Sequence, residues 1–427
     1  MTYCPRTWEL AQRLLVSPAP ADPAAPAPSG GNSAAAVEIE AVAQQIRAEH
    51  CPDTGGFAAG GSPDRLLRQG LLLAQFAARP AGPARLRRAA DARRRQLVGD
   101  TVTYVVNRNL NPGNRCVLRC GFCAFRRDEG EPGHFRLSRP LLLERAAEAQ
   151  AAGATELCVQ AGLDPLARLE GSALGHAELL LRDLHTAAPG IHLHAFSPQE
   201  LVFIAEQDQI SLDRVLGRLQ EAGLGSVPGT AAEVLSDRVR RLICPEKLSA
   251  VAWVAAMLQV HARGLASTAT LMAGHLESEA ERVAHLLTLA AIQRHARSEN
   301  RVGFTEFVLL PFVGANAPPS LRARVARDQP DPRAMLQLTA RARLLLDHWL
   351  VHHQPSWVKL TLPVAAAALR WGCDDLGGTL MEEHITSMAG ARGGSGQSPE
   401  ALRRAAQGLG RAVRQRTTLY GMVPSSP

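Results

Sequence analysis

Cys116, Cys120 and Cys123 fall in the run Asn-Arg-Cys-Val-Leu-Arg-Cys-Gly-Phe-Cys-Ala-Phe, a C-x3-C-x2-C spacing with Phe122 just before the third Cys. Three thiolates this close can hold three irons of a 4Fe–4S cluster and leave the fourth iron without a protein ligand. An iron with an open position can bind a reactant, as the open position of a catalytic metal site does. A structural zinc would need a fourth ligand, which would have to be His134 or a distant Cys, because the chain has no second C-x2-C pair. Eight Cys in 427 residues do not make a disulfide framework.

Such residues need a frame. Short β-rich segments are predicted at 101–107, 155–160, 191–196, 223–227, 266–272, 303–310, 356–360 and 373–380. Between them lie Ala/Leu/Arg-rich helical stretches, among them 140–152, 176–187, 232–241, 246–263, 277–298 and 331–350. Strand–helix alternation indicates a parallel sheet covered by helices, and eight units predict an α/β fold, a (β/α)8 TIM-type barrel. The chemistry of such a barrel sits at the C-terminal ends of its strands. The Cys triad follows the first segment, Gln160-Ala161-Gly162 the second, His194 and Ser197 the third, and Pro228-Gly229-Thr230 the fourth.

Around this barrel, expected over 99–390, a helical region is predicted at 37–98 and a flexible loop with a C-terminal helix at 391–427. Residues 1–36 include a Pro/Ala/Gly/Ser-rich stretch at 17–36 that cannot bury enough apolar surface to order itself, so this part reads as linker-like. The first sixteen residues suit a short amphipathic helix; Glu9 argues against a secretory signal, and a transit peptide is the alternative. A hydrophobic fraction of 46% and a charged fraction of 20% fit a soluble enzyme, and no apolar run approaches a membrane span. The net charge of +7 does not imply nucleic acid: Lys247 and Lys359 are the only lysines, and Arg is spaced by Ala and Asp as on solvated helix faces.

The triad with its aromatic resembles the radical S-adenosylmethionine (radical SAM) superfamily. That resemblance implies a radical SAM barrel with one 4Fe–4S cluster, whose open iron chelates S-adenosylmethionine, and a 5′-deoxyadenosyl radical made by one-electron cleavage of the sulfonium. It places Phe122 at the adenine edge, where simple packing is the other reading. It also places the Gln160-Ala161-Gly162 turn against the methionyl amino group, with Ala161 departing from the more usual Gly. Longer stretches narrow the likeness: Thr-Tyr-Val-Val-Asn-Arg-Asn-Leu-Asn (103–111), Ile-His-Leu-His-Ala-Phe-Ser-Pro (191–198), Pro-Gly-Thr-Ala-Ala-Glu (228–233), Gly-Phe-Thr-Glu-Phe-Val-Leu-Leu-Pro-Phe (303–312) and Gly-Gly-Thr-Leu-Met-Glu-Glu (377–383). Over roughly residues 85–420 the chain resembles the tyrosine-using subunits of FO (deazaflavin) synthase.

The family implies hydrogen abstraction from the amine of L-tyrosine and cleavage of its Cα–Cβ bond. A 4-hydroxybenzyl unit then joins C5 of 5-amino-6-(D-ribitylamino)uracil, toward coenzyme F420. It also implies a cytoplasmic setting, an electron donor such as flavodoxin or ferredoxin, and a separate cyclising subunit, since one Cys triad is present. The menaquinone-pathway aminofutalosine and cyclic futalosine enzymes share the cysteine loop and an Ala-Phe-Ser-Pro segment; residues 228–233 and Thr-Glu-Leu-Cys-Val-Gln (155–160) separate the chain from them. An alternative of another class is a non-catalytic iron–sulfur protein.

Several further residues have two readings each. His192 and His194 alternate on one strand and share a side; His194 is either a substrate hydrogen-bonding group or a structural His. Ser197 is a polar contact at the same strand end or a structural Ser. Glu306 and Lys359, each expected inside a strand, need partners, so each is a binding residue or half of a structural ion pair. Asp374 and Asp375 suit a ribityl chain, a cap or a loop. Glu233 is expected in the first turn of a helix, where the dipole favours a carboxylate. Cys158, Cys244 and Cys373 read as small core residues; Cys4 and Cys51 lie outside the barrel.

Overall fold

The computed structural model describes residues 41–45 and 63–424. Cys4, Cys51, the segment 1–36 and the remainder of 37–62 lie outside the described residues. Among the described residues ten strands form: β1 Val102–Val105, β2 Asn107–Leu110, β3 Glu156–Val159, β4 His192–Ala195, β5 Ser226–Val227, β6 Ala266–Ala273, β7 Phe304–Pro311, β8 His353–Pro355, β9 Asp375–Gly378 and β10 Val413–Arg416. Strands β2 to β8 pair in chain order in one seven-stranded parallel sheet, and β10, β1 and β9 form a second parallel sheet. All eight residues of β6 are buried, as expected of a parallel strand with a helix on one face and the enclosed barrel interior on the other. The expected first strand is thus two pieces, broken at Val106, that serve both sheets and curl them into a partial barrel. Side chains stitch this seam. The Thr379 hydroxyl accepts from Asn107 N–H at 2.9 Å and donates to Asn107 C=O at 2.7 Å, and Asn107 Oδ1 accepts from Leu380 N–H at 2.9 Å.

The covering helices start where a Ser stands ahead of the apolar pattern. Ser138, Ser172, Ser197, Ser236, Ser249 and Ser278 each accept a backbone N–H of the first turn, an N-cap contributing about 1 kcal/mol. Outside the barrel, helices Pro63–Ala78 and Gly82–Val98 pack on Glu279–Ser298 and Pro332–Leu346.

Three expectations require correction. Residues 356–360 are not a strand: β8 lies earlier, at His353–Pro355, and Trp357–Leu360 form a helical turn in which the Trp357 indole donates to Gly378 C=O at 2.9 Å. Lys359 therefore sits on that turn. The helix expected over 232–241 begins only at Asp237, because Ala231 and Glu233 adopt left-handed φ of 62° and 46°; Glu233 belongs to a loop. The C-terminal region supplies β10 as well as the helix Pro399–Gln407. Its sequence, Val-Arg-Gln-Arg, carries almost no apolar signal because it pairs on one edge of β1.

Candidate active site

The cysteine loop runs from β2 to the helix Arg139–Ala151. Buried Asn114 staples it: Oδ1 accepts from Phe135 N–H at 2.9 Å, Nδ2 donates to Gly133 C=O at 2.8 Å, and its own C=O accepts from Arg127 N–H at 3.0 Å. The loop is also tied to the turn after β3, through Val117 N–H to Leu163 C=O at 3.0 Å and Gly162 N–H to Gly113 C=O at 3.1 Å. Gly121 N–H reaches Ile243 C=O at 2.7 Å. Gly162 has no room for a side chain, since a Cβ there would lie 2.1 Å from the Arg115 carbonyl oxygen and 3.0 Å from Cys116 Cβ.

The triad thiols are free and partly buried. Burial pushes Cys116 up and Cys120 up to about 12, so both are protonated until a metal displaces the proton. Among the described residues no three His, Cys, Asp or Glu side chains are grouped closely enough for a single metal ion. A 4Fe–4S cluster takes its thiolates at separate irons, and Cys116, Cys120 and Cys123, which line one opening, are the residues that would hold it.

These thiols open into a cavity of ≈ 390 Å³ inside the barrel, within the size range of small-molecule sites. Cys116, Cys120, Cys123, Phe122, Gln160, Gly162, His194, Ser197, Glu306 and Lys359 all line it. Gln160 Nε2 donates to Thr230 Oγ1 at 2.5 Å and so joins the ends of β3 and β5. The Ser197 hydroxyl closes a capping box with Glu200, and the same carboxylate accepts from Ala161 N–H at 3.0 Å. Ser197 thus anchors the 160–162 turn, and burial raises Glu200. His194 Nδ1 and His192 Nε2 both meet Ser226 Oγ, at 2.6 and 2.7 Å. Burial lowers His194 to about 4, which keeps the ring neutral.

Beside the thiols, Lys247 Nζ lies 2.7 Å from Glu233 Oε1 and 5.3 Å from the Phe122 ring centroid. Burial opposes both charges, but Glu233 and Lys247 outweigh it for each other, holding the amine up and the carboxyl down. At the opposite end, Arg416 Nη2 meets Glu306 Oε2 at 2.9 Å and its Nε meets Asp375 Oδ2 at 2.5 Å, while the Tyr420 hydroxyl donates to Glu306 at 2.6 Å. Burial, crowded by Asp375 and Glu156, raises Glu306 to about 7 despite Arg416. Asp374 pairs with Arg343 and His352, so both aspartates weighed for a ribityl chain are held by structural partners. Glu200, Glu233, Lys247 and Arg416 were missed as site residues. Only Lys247 carried a signal, as one of two lysines in the chain.

Comparison with known proteins agrees with this geometry. Residues 110–289 match the model of the radical SAM superfamily. The chain is 52% identical over 337 residues to a protein of Cyanothece sp. named 5-amino-6-(D-ribitylamino)uracil–L-tyrosine 4-hydroxyphenyl transferase, covering 79% of this chain and 88% of that one. A protein of the same name from Gloeobacter violaceus is 54% identical over 342 residues, 80% and 87% of the two chains. Among solved structures, methylornithine synthase superposes with a TM-score of 0.62 at 14% identity, covering 82% of this chain and 96% of that one. The FeFe-hydrogenase maturase HydG of Carboxydothermus hydrogenoformans gives 0.63 at 14%, over 97% and 84%; these two likenesses speak for the fold. No helix among the described residues is long and apolar enough to cross a membrane. With its cysteine loop at the mouth of a parallel barrel and more than half its aligned residues shared, the chain belongs to the radical SAM family of 5-amino-6-(D-ribitylamino)uracil–L-tyrosine 4-hydroxyphenyl transferases.

Proposed function

We propose that this chain joins the 4-hydroxybenzyl group of L-tyrosine to 5-amino-6-(D-ribitylamino)uracil, a step of FO and coenzyme F420 biosynthesis. The observation that carries the reading is the single barrel cavity that takes in both the cysteine triad and a polar interior. Cys116, Cys120 and Cys123 would hold one 4Fe–4S cluster, and Phe122, Gln160 and Gly162 would receive S-adenosylmethionine. When bound, the two supply a carbon-centred radical, the hard chemistry that the protein need only aim and shield.

The chain's own residues bind and orient. Gly162 leaves backbone bare where a ligand must come close to the cysteine loop. Glu200 fixes the N–H of Ala161, which steadies the turn beside it. His194, held neutral, offers a hydrogen bond without changing the charge of the cavity, and Glu306 and Lys359 provide charge-bearing groups at different parts of the wall. Breaking the Cα–Cβ bond of tyrosine and making a bond to C5 of the uracil requires both substrates in one water-poor space, and the barrel interior provides it. A separate cyclising subunit would take the product, since the chain has one triad, and a small electron carrier, flavodoxin or ferredoxin, would reduce the cluster in a reducing cytoplasm.

The test is an anaerobic incubation of the reconstituted, reduced protein with S-adenosylmethionine, L-tyrosine and the aminouracil, read by mass spectrometry. A hydroxybenzyl–aminouracil adduct together with 5′-deoxyadenosine is expected. Deoxyadenosine with no adduct overturns the substrate assignment.

A further inference from the structure

Of the chain's 47 Lys and Arg residues only two are Lys, and both line the barrel cavity. Arg cannot replace Lys where a compact point charge on a flexible stem is needed in a confined space. The two lysines differ in one respect. Lys247 is paired with Glu233 at 2.7 Å. The side chain of Lys359, on the turn Trp357–Leu360, makes no hydrogen bond and no ion pair among the described residues. Its nearest carboxylates act on it only through space: Glu383 is engaged by the N–H groups of Thr386 at 2.7 Å and Ser387 at 3.0 Å, and Glu233 by Lys247.

The other acidic and basic groups named in the cavity interior are answered from within the protein. Arg416 has Glu306 and Asp375, Glu200 has Ser197 and Ala161, and Glu156 has Asn107 at 2.7 Å. Lys359 is half-buried on the cavity wall, and an ammonium drawn partly out of water with no paired carboxylate gains when a ligand supplies one. The functional reading above supplies the ligands, and this inference rests on it. The aminouracil with its ribityl chain is uncharged. The carboxylate of S-adenosylmethionine belongs at the open iron. One anionic group is left over, the carboxylate of the amino acid.

We propose that Lys359 is the anchor for the substrate's carboxylate, and that it sets the specificity of the cavity for an α-amino acid over the corresponding amine. Burial lowers the amine of Lys359 from its usual value, and a carboxylate seated on it would raise it again. Tyramine, which is L-tyrosine without the carboxylate, is the direct probe.

The experiment is equilibrium binding of L-tyrosine, tyramine and the aminouracil to the full-length reconstituted protein with S-adenosylmethionine present. It compares wild type with Lys359→Met, which keeps the stem, and with Lys359→Gln, which keeps a donor. Wild type is expected to prefer L-tyrosine over tyramine by at least tenfold. Lys359→Met is expected to lose that preference by weakening L-tyrosine alone, and Lys359→Gln to recover part of it. An unchanged preference in Lys359→Met overturns the assignment. So does a loss confined to the aminouracil, which would put Lys359 on a uracil carbonyl instead. Failure of the wild type to bind L-tyrosine overturns the functional reading together with this one, so the two failures are told apart.

Discussion

The two ends of the barrel cavity are both buried and both rich in polar groups, yet they are built on opposite terms. At the floor, the segment after β10 crosses beneath the sheet, where Thr417, Thr418 and Leu419 stand beside Thr155 and Ile191 at the starts of β3 and β4. There Arg416 is gripped by Asp375 and Glu306, Thr103 donates to Asp375 at 2.5 Å, and Tyr420 stacks on His352 with centroids 3.6 Å apart. At the mouth, the thiols of Cys120 and Cys123, the amine of Lys359 and the Oδ1 of Asn109 line the cavity with no side-chain hydrogen bond among the described residues. Buried polar groups are normally satisfied, so the Arg416–Asp375–Glu306 network of the floor is expected to hold a shape and the open groups of the mouth to meet a ligand, although Thr155 Oγ1 and Thr418 Oγ1 at the floor are open too. Replacing a residue should therefore cost stability at the floor and ligands at the mouth.

The sharpest break of that contrast is at the mouth. Cys116→Ala, Cys120→Ala and Cys123→Ala are each expected to abolish cluster binding and turnover while leaving the thermal unfolding of the metal-free protein almost unchanged. Iron per chain and the visible absorption of the reconstituted protein measure the first, and calorimetry the second. Retention of the cluster in all three variants would remove the triad from the site.

At the floor the largest effect is expected from Arg416→Met. It strands Asp375 and Glu306 in a buried site without their cation, and breaking a buried pair from one side costs about 3–5 kcal/mol. Denaturant unfolding reads this; a loss below about 1 kcal/mol would show that the floor network does not hold the barrel. A gentler probe of the same place is pH. Glu306 is raised to about 7 in the folded chain from an ordinary value of 4.5. Between those values the folded state holds a proton that the unfolded state has released, so stability falls as pH rises from about 4.5 to about 7. Glu306→Gln, which cannot ionise, should lack that part of the slope. Its stability relative to wild type should climb across the window by up to about 3 kcal/mol, the worth of a shift of this size. Parallel pH profiles for the two proteins would mean that Glu306 is ionised throughout.

What could be read in the sequence divides along the same line. The mouth was legible because its residues are rare types at fixed spacing: three Cys within eight residues, a Gln-Ala-Gly turn, a lysine in a chain of arginines. The alternation of strands and helices was legible because short segments of apolar and β-branched residues, such as the Ala-Ser-Thr-Ala-Thr-Leu-Met-Ala of β6, recur between longer helical patterns. The floor was not. Arg416 and Tyr420 lie more than a hundred residues from Glu306 and outside any periodic pattern, and β10 reads Val-Arg-Gln-Arg. Lys359 was expected on a strand because Ser-Trp-Val-Lys-Leu has β-forming residues; the Trp357 bond to Gly378 at 2.9 Å accompanies a helical turn instead, a tertiary effect that local propensity cannot anticipate. Glu233 was expected on a helix for a similar reason, and its left-handed φ of 46° places it in a loop where it meets Lys247.

The smallest of the expected effects joins the two kinds of evidence in one residue. Gly162 was singled out as a turn glycine, and the structure adds a steric reason, a carbonyl of the cysteine loop 2.1 Å from where its Cβ would be. Gly162→Ala must push that carbonyl and Cys116 aside, an overpacking cost of about 1–3 kcal/mol. The loop is held elsewhere by Asn114 and by Val117, so it should shift without leaving the barrel. The result expected is a protein that still folds, less stable by about that cost, and that holds its iron less tightly, losing cluster to a chelator several times faster. Ala161→Gly, one residue away and facing no such contact, is the control and should lose iron at the wild-type rate. If Gly162→Ala held its iron as well as the control, the turn after β3 would be only a neighbour of the cysteine loop, and the geometry of the mouth would have to be set by the loop's own hydrogen bonds.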